Sequence, residues 1–182
     1  MKKTLTLFAV GFLLTTGLFS CNKLIEAFFP GFDTDINAAE ISIPAVPLVT
    51  SETPVGSVTF RFNLDSIIRS YTANAFSINT IASVRVKQIK FDFENPDAQN
   101  NAANFESMRI SFASNANTEP VTIGSVSIPD TYATNISISI IEGIELKDYM
   151  KGEQISYTLH VKPRRGTTQQ LTTSIIVSIS VK

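Results

Sequence analysis

The feature that most constrains this chain is the regular alternation of apolar and polar residues along its length. From Leu171 to Val181 six positions of one parity, Leu171, Thr173, Ile175, Val177, Ile179 and Val181, are separated largely by Ser and Thr. Successive side chains of a strand point to opposite faces, so this run predicts a strand with one buried face and one wet face. The same rhythm recurs at Val58, Phe60, Phe62 and Leu64, at Met108, Ile110 and Phe112, at Ile136, Ile138 and Ile140, and at Ile155, Tyr157, Leu159 and Val161. Seven or eight such strands with turn residues between them predict an all-β chain. The expected architecture is a two-layer antiparallel β-sandwich, immunoglobulin-like in kind. An abundance of Ser, Thr, Asn and Ile suits it, because β-branched residues favour strands and small polar ones fill turns.

Two strands change phase midway. In "ASVRVKQIKFDF" the apolar positions Val84 and Val86 give way to Ile89, Phe91 and Phe93. One parity cannot hold all five on one face, which predicts a β-bulge at Lys87-Gln88. In "VTIGSVSIP" the same slip occurs between Ile123 and Val126, with Gly124 beside it. Helix is scarce. Residues 65–71 can form about two turns after the Val58–Leu64 strand, with Asn63 or Asp65 as cap and Leu64, Ile67, Ile68 and Tyr71 inward. Leu146 to Met150, stopped by Gly152, can add one more turn.

The N-terminus follows different rules. Lys2 and Lys3 precede an apolar run through Leu14, the pattern of a secretory leader, and the run is short for a permanent membrane span. No small-residue A-x-A site closes it. Instead Leu18-Phe19-Ser20-Cys21 resembles the lipobox of bacterial lipoproteins, in which the cysteine is acylated and becomes the mature N-terminus. Cys21 is the only cysteine, so no intramolecular disulfide is available. The expected organisation is a leader over 1–20, a lipid-anchored tether with a Pro-rich connector over 21–54, and a sandwich over 55–182, with a strand near 36–43 free to join it. Between Cys21 and the connector, Leu24, Ile25, Phe28, Phe29 and Phe32 form an apolar stripe. It is either an interfacial segment resting in the headgroups or a strap packed on the domain. Asn22 follows the cysteine in place of the aspartate that retains such lipoproteins in the inner membrane. By that resemblance the outer membrane is expected, with the side it faces left open.

The order of the body segments also carries a resemblance. "FRFNLDSIIRS", "SVRVKQIKFDFEN", "NFESMRISFAS", "SIPD" and "IELKDYMKGEQISYTLHV" followed by a closing strand resemble a family of small Bacteroidota lipoproteins, over roughly Val58 to Lys182. The resemblance implies fold and location and carries over no active site.

Few residues offer chemistry. His160, the only histidine, alternates with Leu159 and Val161 and therefore belongs to the polar face. With no G-x-S-x-G motif and the cysteine assigned to the anchor, nothing composes a nucleophile, base and orienting group. A zinc site needs three or four suitable ligands, more than one histidine supplies. Asp92 and Glu94 lie side by side on one strand face, where a glycosidase needs carboxylates on opposite sides of a sugar. Asp92, Glu94, Asn95 and Asp97 are oxygen donors at a strand end and turn, the weak calcium candidates of the chain. Lys162, Arg164 and Arg165 form its densest basic cluster, a candidate contact for anionic headgroups or phosphates.

Overall charge narrows the partners. Loss of Lys2 and Lys3 with the leader takes the net charge from −1 to −3, against the basic footprint that nucleic acid requires. The expectation is a non-catalytic outer-membrane lipoprotein without cofactor. It is held to the membrane by its N-terminal lipid and binds an unidentified protein, glycan or lipid. The alternative is a carrier holding an apolar ligand between the sheets in a cavity lined by Phe60, Phe91, Phe93 and Phe112. An enzyme ranks third.

Overall fold

The computed structural model describes residues 28–182, with residues 37–39 described by their backbone alone. Within them, eight strands and one α-helix follow in the order β1 (Phe32–Ile43), β2 (Thr53–Arg61), α1 (Leu64–Tyr71), β3 (Val84–Glu94), β4 (Phe105–Ser114), β5 (Val121–Ser127), β6 (Asn135–Ile140), β7 (Gln154–Pro163) and β8 (Leu171–Val181). All the strand pairings are antiparallel. One layer runs β1-β8-β3-β6 and the other β2-β7-β4-β5, and a short β5–β6 pairing curls the two into a continuous sheet. This is the strand order of a jelly roll, in which paired strands wrap around a single core. The all-β two-layer sandwich expected from the alternation is therefore present, including the helix after β2. Its connectivity is the jelly-roll order, not the immunoglobulin order.

The parity of each strand explains the core. Ile155, Tyr157, Leu159 and Val161 of β7 are buried against Leu171, Ile175, Val177, Ile179 and Val181 of β8, together with Phe91, Ile110 and Phe112. Both phase changes are β-bulges. Lys87 is the extra residue between Val86 and Gln88 opposite β8, and Ile123 the extra residue opposite β4. Gly124 sits beside that second bulge, close against β6 and β3. A Cβ there would lie 2.6 Å from Ile138 Cγ2 and 2.9 Å from Ile89 Cδ1, so only glycine fits without displacement.

The helix is capped by Asn63, whose side chain accepts a hydrogen bond from the Ser66 amide at 2.8 Å. That satisfies one of the otherwise unpaired first-turn amides. Leu64 and Ile68 are buried, whereas Tyr71, expected inward, is largely exposed with one face of its ring against Phe32. Tyr149–Lys151 forms a 3-10 turn closed by Gly152.

The domain boundary drawn at residue 55 moves toward the N-terminus. β1 pairs with β8 from Phe32 to Ile43, so residues assigned to the tether and connector are the edge of one sheet. Phe29 belongs to the core as well, at 4% exposure. Of the described part of the stripe, Phe29 and Phe32 pack on the domain as a strap and Phe28 stays exposed, while Leu24 and Ile25 lie outside the described residues.

The register gives the sandwich two ends. The entry end holds residues 28–31, α1 and its following loop, residues 115–120 and 141–153, and the C-terminus. The far end holds the connections 44–52, 95–104, 128–134 and 164–170.

Candidate functional site

Outward-facing residues of β2, β7, β4 and β5 come together on one face. The pairings align Ser57 with Thr158 and Ser111, Thr59 with Ser156, and Thr122 with Ser111. Ser107 and Ser127 form a further rung, and Ser125 lies opposite Arg109. Period two puts every one of these side chains on the side away from the core. The result is a sheet face covered mainly by small hydroxyls, which offer donors and acceptors without bulk.

A guanidinium lies near its centre. Arg109 is flanked by His160 on β7, and His160 by Pro54 on β2. The Arg109 guanidinium donates through Nε to Oε1 of Glu52 at 2.6 Å, and its Nη2 lies in ion-pair contact with the same oxygen at 2.6 Å. Its Nη1 donates to Ser111 Oγ at 3.1 Å and Thr122 Oγ1 at 3.2 Å. The planar cation therefore lies across the hydroxyls, and Ser111 beneath it is only 5% exposed. A fork held at this many points is pre-organised, losing little freedom on meeting a ligand.

His160 keeps its expected outward face but is half-buried, and its Nδ1 has no hydrogen-bond partner among the described residues. Burial first and the Arg109 cation second hold its imidazole below the usual range; Glu52 and the Thr158 backbone pull the other way. The face therefore carries a neutral imidazole beside a fixed cation near neutral pH. On the core side of the same strand, burial pushes the Tyr157 phenol far above its ordinary range. Its hydroxyl likewise has no partner among the described residues.

The candidates chosen from sequence are distributed differently. Cys21 lies outside the described residues. Asp92 and Glu94 stand on the outer face of β3, where Glu94 accepts from Ser174 Oγ at 3.2 Å. Asp97 instead turns into the following loop, accepting from the amides of Gln99 at 2.7 Å and Asn100 at 2.6 Å, which hold its carboxyl below the ordinary range. Among the described residues, no three His, Cys, Asp or Glu side chains converge as a metal site, so the calcium candidates do not form one.

Lys162, Arg164 and Arg165 do not form a free basic tip either. Lys162 pairs with Glu106 at 2.8 Å and Arg165 with Asp130 at 2.7 Å. Arg164 donates to the carbonyls of Ala103 at 2.9 Å and Ile128 at 2.6 Å. These cations brace the far end against the buried Asn100, Asn101 and Asn104. Asn104 Nδ2 donates to the carbonyls of Gln99 at 2.9 Å and Gly166 at 3.1 Å, joining the two loops.

The phenylalanines expected around an interior cavity contribute to packing. Phe60 and Phe112 lie 5.6 and 5.5 Å from the ring of Tyr157, and Phe91 is fully buried. Concavities lie elsewhere among the described residues. One of about 790 Å³ is at the entry end, lined by Phe29, Phe32, Arg85 and Lys182 among others, and one of about 230 Å³ is at the Pro44–Pro54 corner.

No family model matches the sequence, and no curated protein matches it. Distant structural likenesses exist. The structure of the infectious bursal disease virus Gx strain matches 83% of this chain and 32% of that chain, with TM-score 0.41 and 7% identity. A mutant of the family 29 carbohydrate-binding module CBM29-2 matches 84% of this chain and 76% of its own length, with TM-score 0.31 and 11% identity. The Triatoma virus empty capsid matches 90% and 91%, with TM-score 0.33 and 9% identity. The chain thus spans about a third of the first of these proteins. The fold assignment rests on the strand order above.

Proposed function

We propose that this chain is a non-catalytic binding module of the cell envelope, lipid-anchored at Cys21 in the outer membrane. The observation that carries the binding reading is the hydroxyl face of β2-β7-β4-β5, with Arg109 fixed across it by Glu52, Ser111 and Thr122. Such a surface suits a polar ligand, a glycan or an extended protein segment, recognised through many modest hydrogen bonds. The carrier alternative needs open space between the sheets where Phe60 and Phe112 close on Tyr157. The sequence supports the anchor through the leader and the lipobox-like Leu18-Phe19-Ser20-Cys21.

Two experiments test the reading. Cys21→Ser is expected to move the protein from the membrane pellet to the soluble envelope fraction; retention in the pellet at wild-type strength sinks the anchor. The double variant Ser57→Glu/Ser125→Glu places charge at exposed positions of the face. It is expected to keep the wild-type melting temperature while losing the partners captured by cross-linking in intact cells. An unchanged capture pattern rules this face out.

A further inference from the structure

The entry end of the sandwich carries a cluster of aromatic rings that is buried on one side and open on the other. Phe29 is buried, its ring 5.1 Å from Phe76 and 6.1 Å from Phe32. Phe32 in turn lies 4.5 Å from Tyr71, at the last turn of α1. These contacts fix the incoming strap to β1 and to the helix together. On the outer side, Phe28 is 71% exposed and Tyr71 57% exposed. Arg85 and Lys182 line the adjoining concavity together with Asp33, and Arg85 lies 3.7 Å from Glu145.

The length of chain before this point selects what meets the open rings. Only six residues lie between Cys21 and Phe28, seven residue steps in all. At 3.3–3.6 Å per residue the tether reaches at most roughly 25 Å. Strands of ten or eleven residues place the far end roughly 35 Å beyond the entry end. An acylated Cys21 therefore holds the entry end at the bilayer surface, within reach of the headgroups. Aromatic rings with one apolar face and a polar edge are enriched at that depth, and cationic side chains beside them meet phosphates.

Resting on the lipid anchor at Cys21, we propose that the entry end docks on the bilayer, with Phe28 and Tyr71 seated at headgroup depth. The strands then stand away from the membrane and the far-end loops point outward. The hydroxyl face runs up the side of the standing sandwich, open to partners.

The chain contains no tryptophan, so a single introduced indole reports its own depth. Phe28→Trp, Tyr71→Trp and, at the far end, Tyr132→Trp all replace exposed aromatic residues. Each full-length lipoprotein is reconstituted into vesicles of phosphatidylethanolamine and phosphatidylglycerol, with plain or brominated acyl chains. The Phe28→Trp and Tyr71→Trp variants are expected to lose about half of their emission in brominated vesicles, while Tyr132→Trp is unchanged, as interfacial seating requires. Protein that floats with the vesicles but shows no more quenching at 28 and 71 than at 132 overturns the docking and leaves the anchor standing. The docking is likewise overturned if emission at 28 and 71 resists both bromine and aqueous iodide, because protein then covers the rings. Failure to float with vesicles overturns the anchor itself, and the docking with it.

Discussion

The two outer faces of the sandwich share one core and both carry rows of Ser and Thr, such as Thr172, Ser174, Ser178 and Ser180 on β8, but they hold their charges differently. On β1-β8-β3-β6 the exposed side carries Asp33, Asp35 and Glu40 on one strand and Arg85, Lys87, Lys90, Asp92 and Glu94 on another. Its contacts are pairwise and solvent-exposed, as between Lys87 and Asp33 or between Ser178 Oγ and Asp35 at 2.5 Å. On β2-β7-β4-β5 the centre is hydroxyl, and one guanidinium binds three partners from different segments. Inward parity sets the fold on both faces alike. The outward parity is free to vary, and it is there that a binding surface becomes distinguishable from a merely solvated one.

The largest effect should ignore this difference. Phe112 lies under the hydroxyl face and Phe91 under the charged one, both fully buried. Replacing either with Ala should cost about 3–5 kcal/mol in denaturant unfolding, from lost burial and the cavity left behind. Markedly unequal losses would show that the two layers do not draw on one core.

Single charges should separate the faces. Arg109→Ala removes an exposed pair with Glu52 and leaves the buried Ser111 hydroxyl without this donor, and should cost about 1 kcal/mol. Lys87→Ala removes an exposed ion pair and should leave the unfolding midpoint unchanged. Equal effects would erase the contrast drawn between a braced cation and a solvated one.

The smallest effect is a pH dependence confined to the hydroxyl face. The imidazole of His160 titrates lower in the fold than in the unfolded chain. Its contribution is therefore fully present above the unfolded value of about 6.5 and is lost as pH falls toward the folded value, where the unfolded chain binds the proton first. Melting of the wild type between pH 7 and 5 should decline more steeply than that of His160→Gln. Parallel curves would place the acid sensitivity among the carboxylates instead.

Much of the fold was legible because the signal was local. Alternation marked the strands, a parity slip at Val86–Ile89 marked one bulge and Gly124 the other, and Asn63 stood where a helix cap belongs. The start of the sandwich was legible only in part: the sequence leaves a strand near 36–43 free to join, but its first residues escape that reading. Asp33, Thr34 and Asp35 are polar at the strand start, and the register shift between Ile36 and Ala39 falls in Asn-Ala-Ala, which carries no apolar rhythm. The site was harder still. Nothing in the sequence marks Arg109, because its partner Glu52 comes from a connector 57 residues away. The partners of the basic cluster were hidden for the same reason, since Asp130 and the Ala103 and Ile128 carbonyls reach it from loops that the sequence keeps far apart.

The place of β8 has a consequence for the order of events in the life of the chain. It is the last strand made, yet it lies between β1 and β3, and its bond from Ser178 to Asp35 spans 143 residues. Without Leu171–Val181, β1 has no strand partner and β3 keeps only β6, whereas β3-β6-β5-β4-β7-β2 can pair among themselves. Contacts of such separation fold slowly, since a long loop closes before any pairing rewards it. A chain that emerges N-terminus first thus completes the β1 edge of the sandwich only once β8 is available.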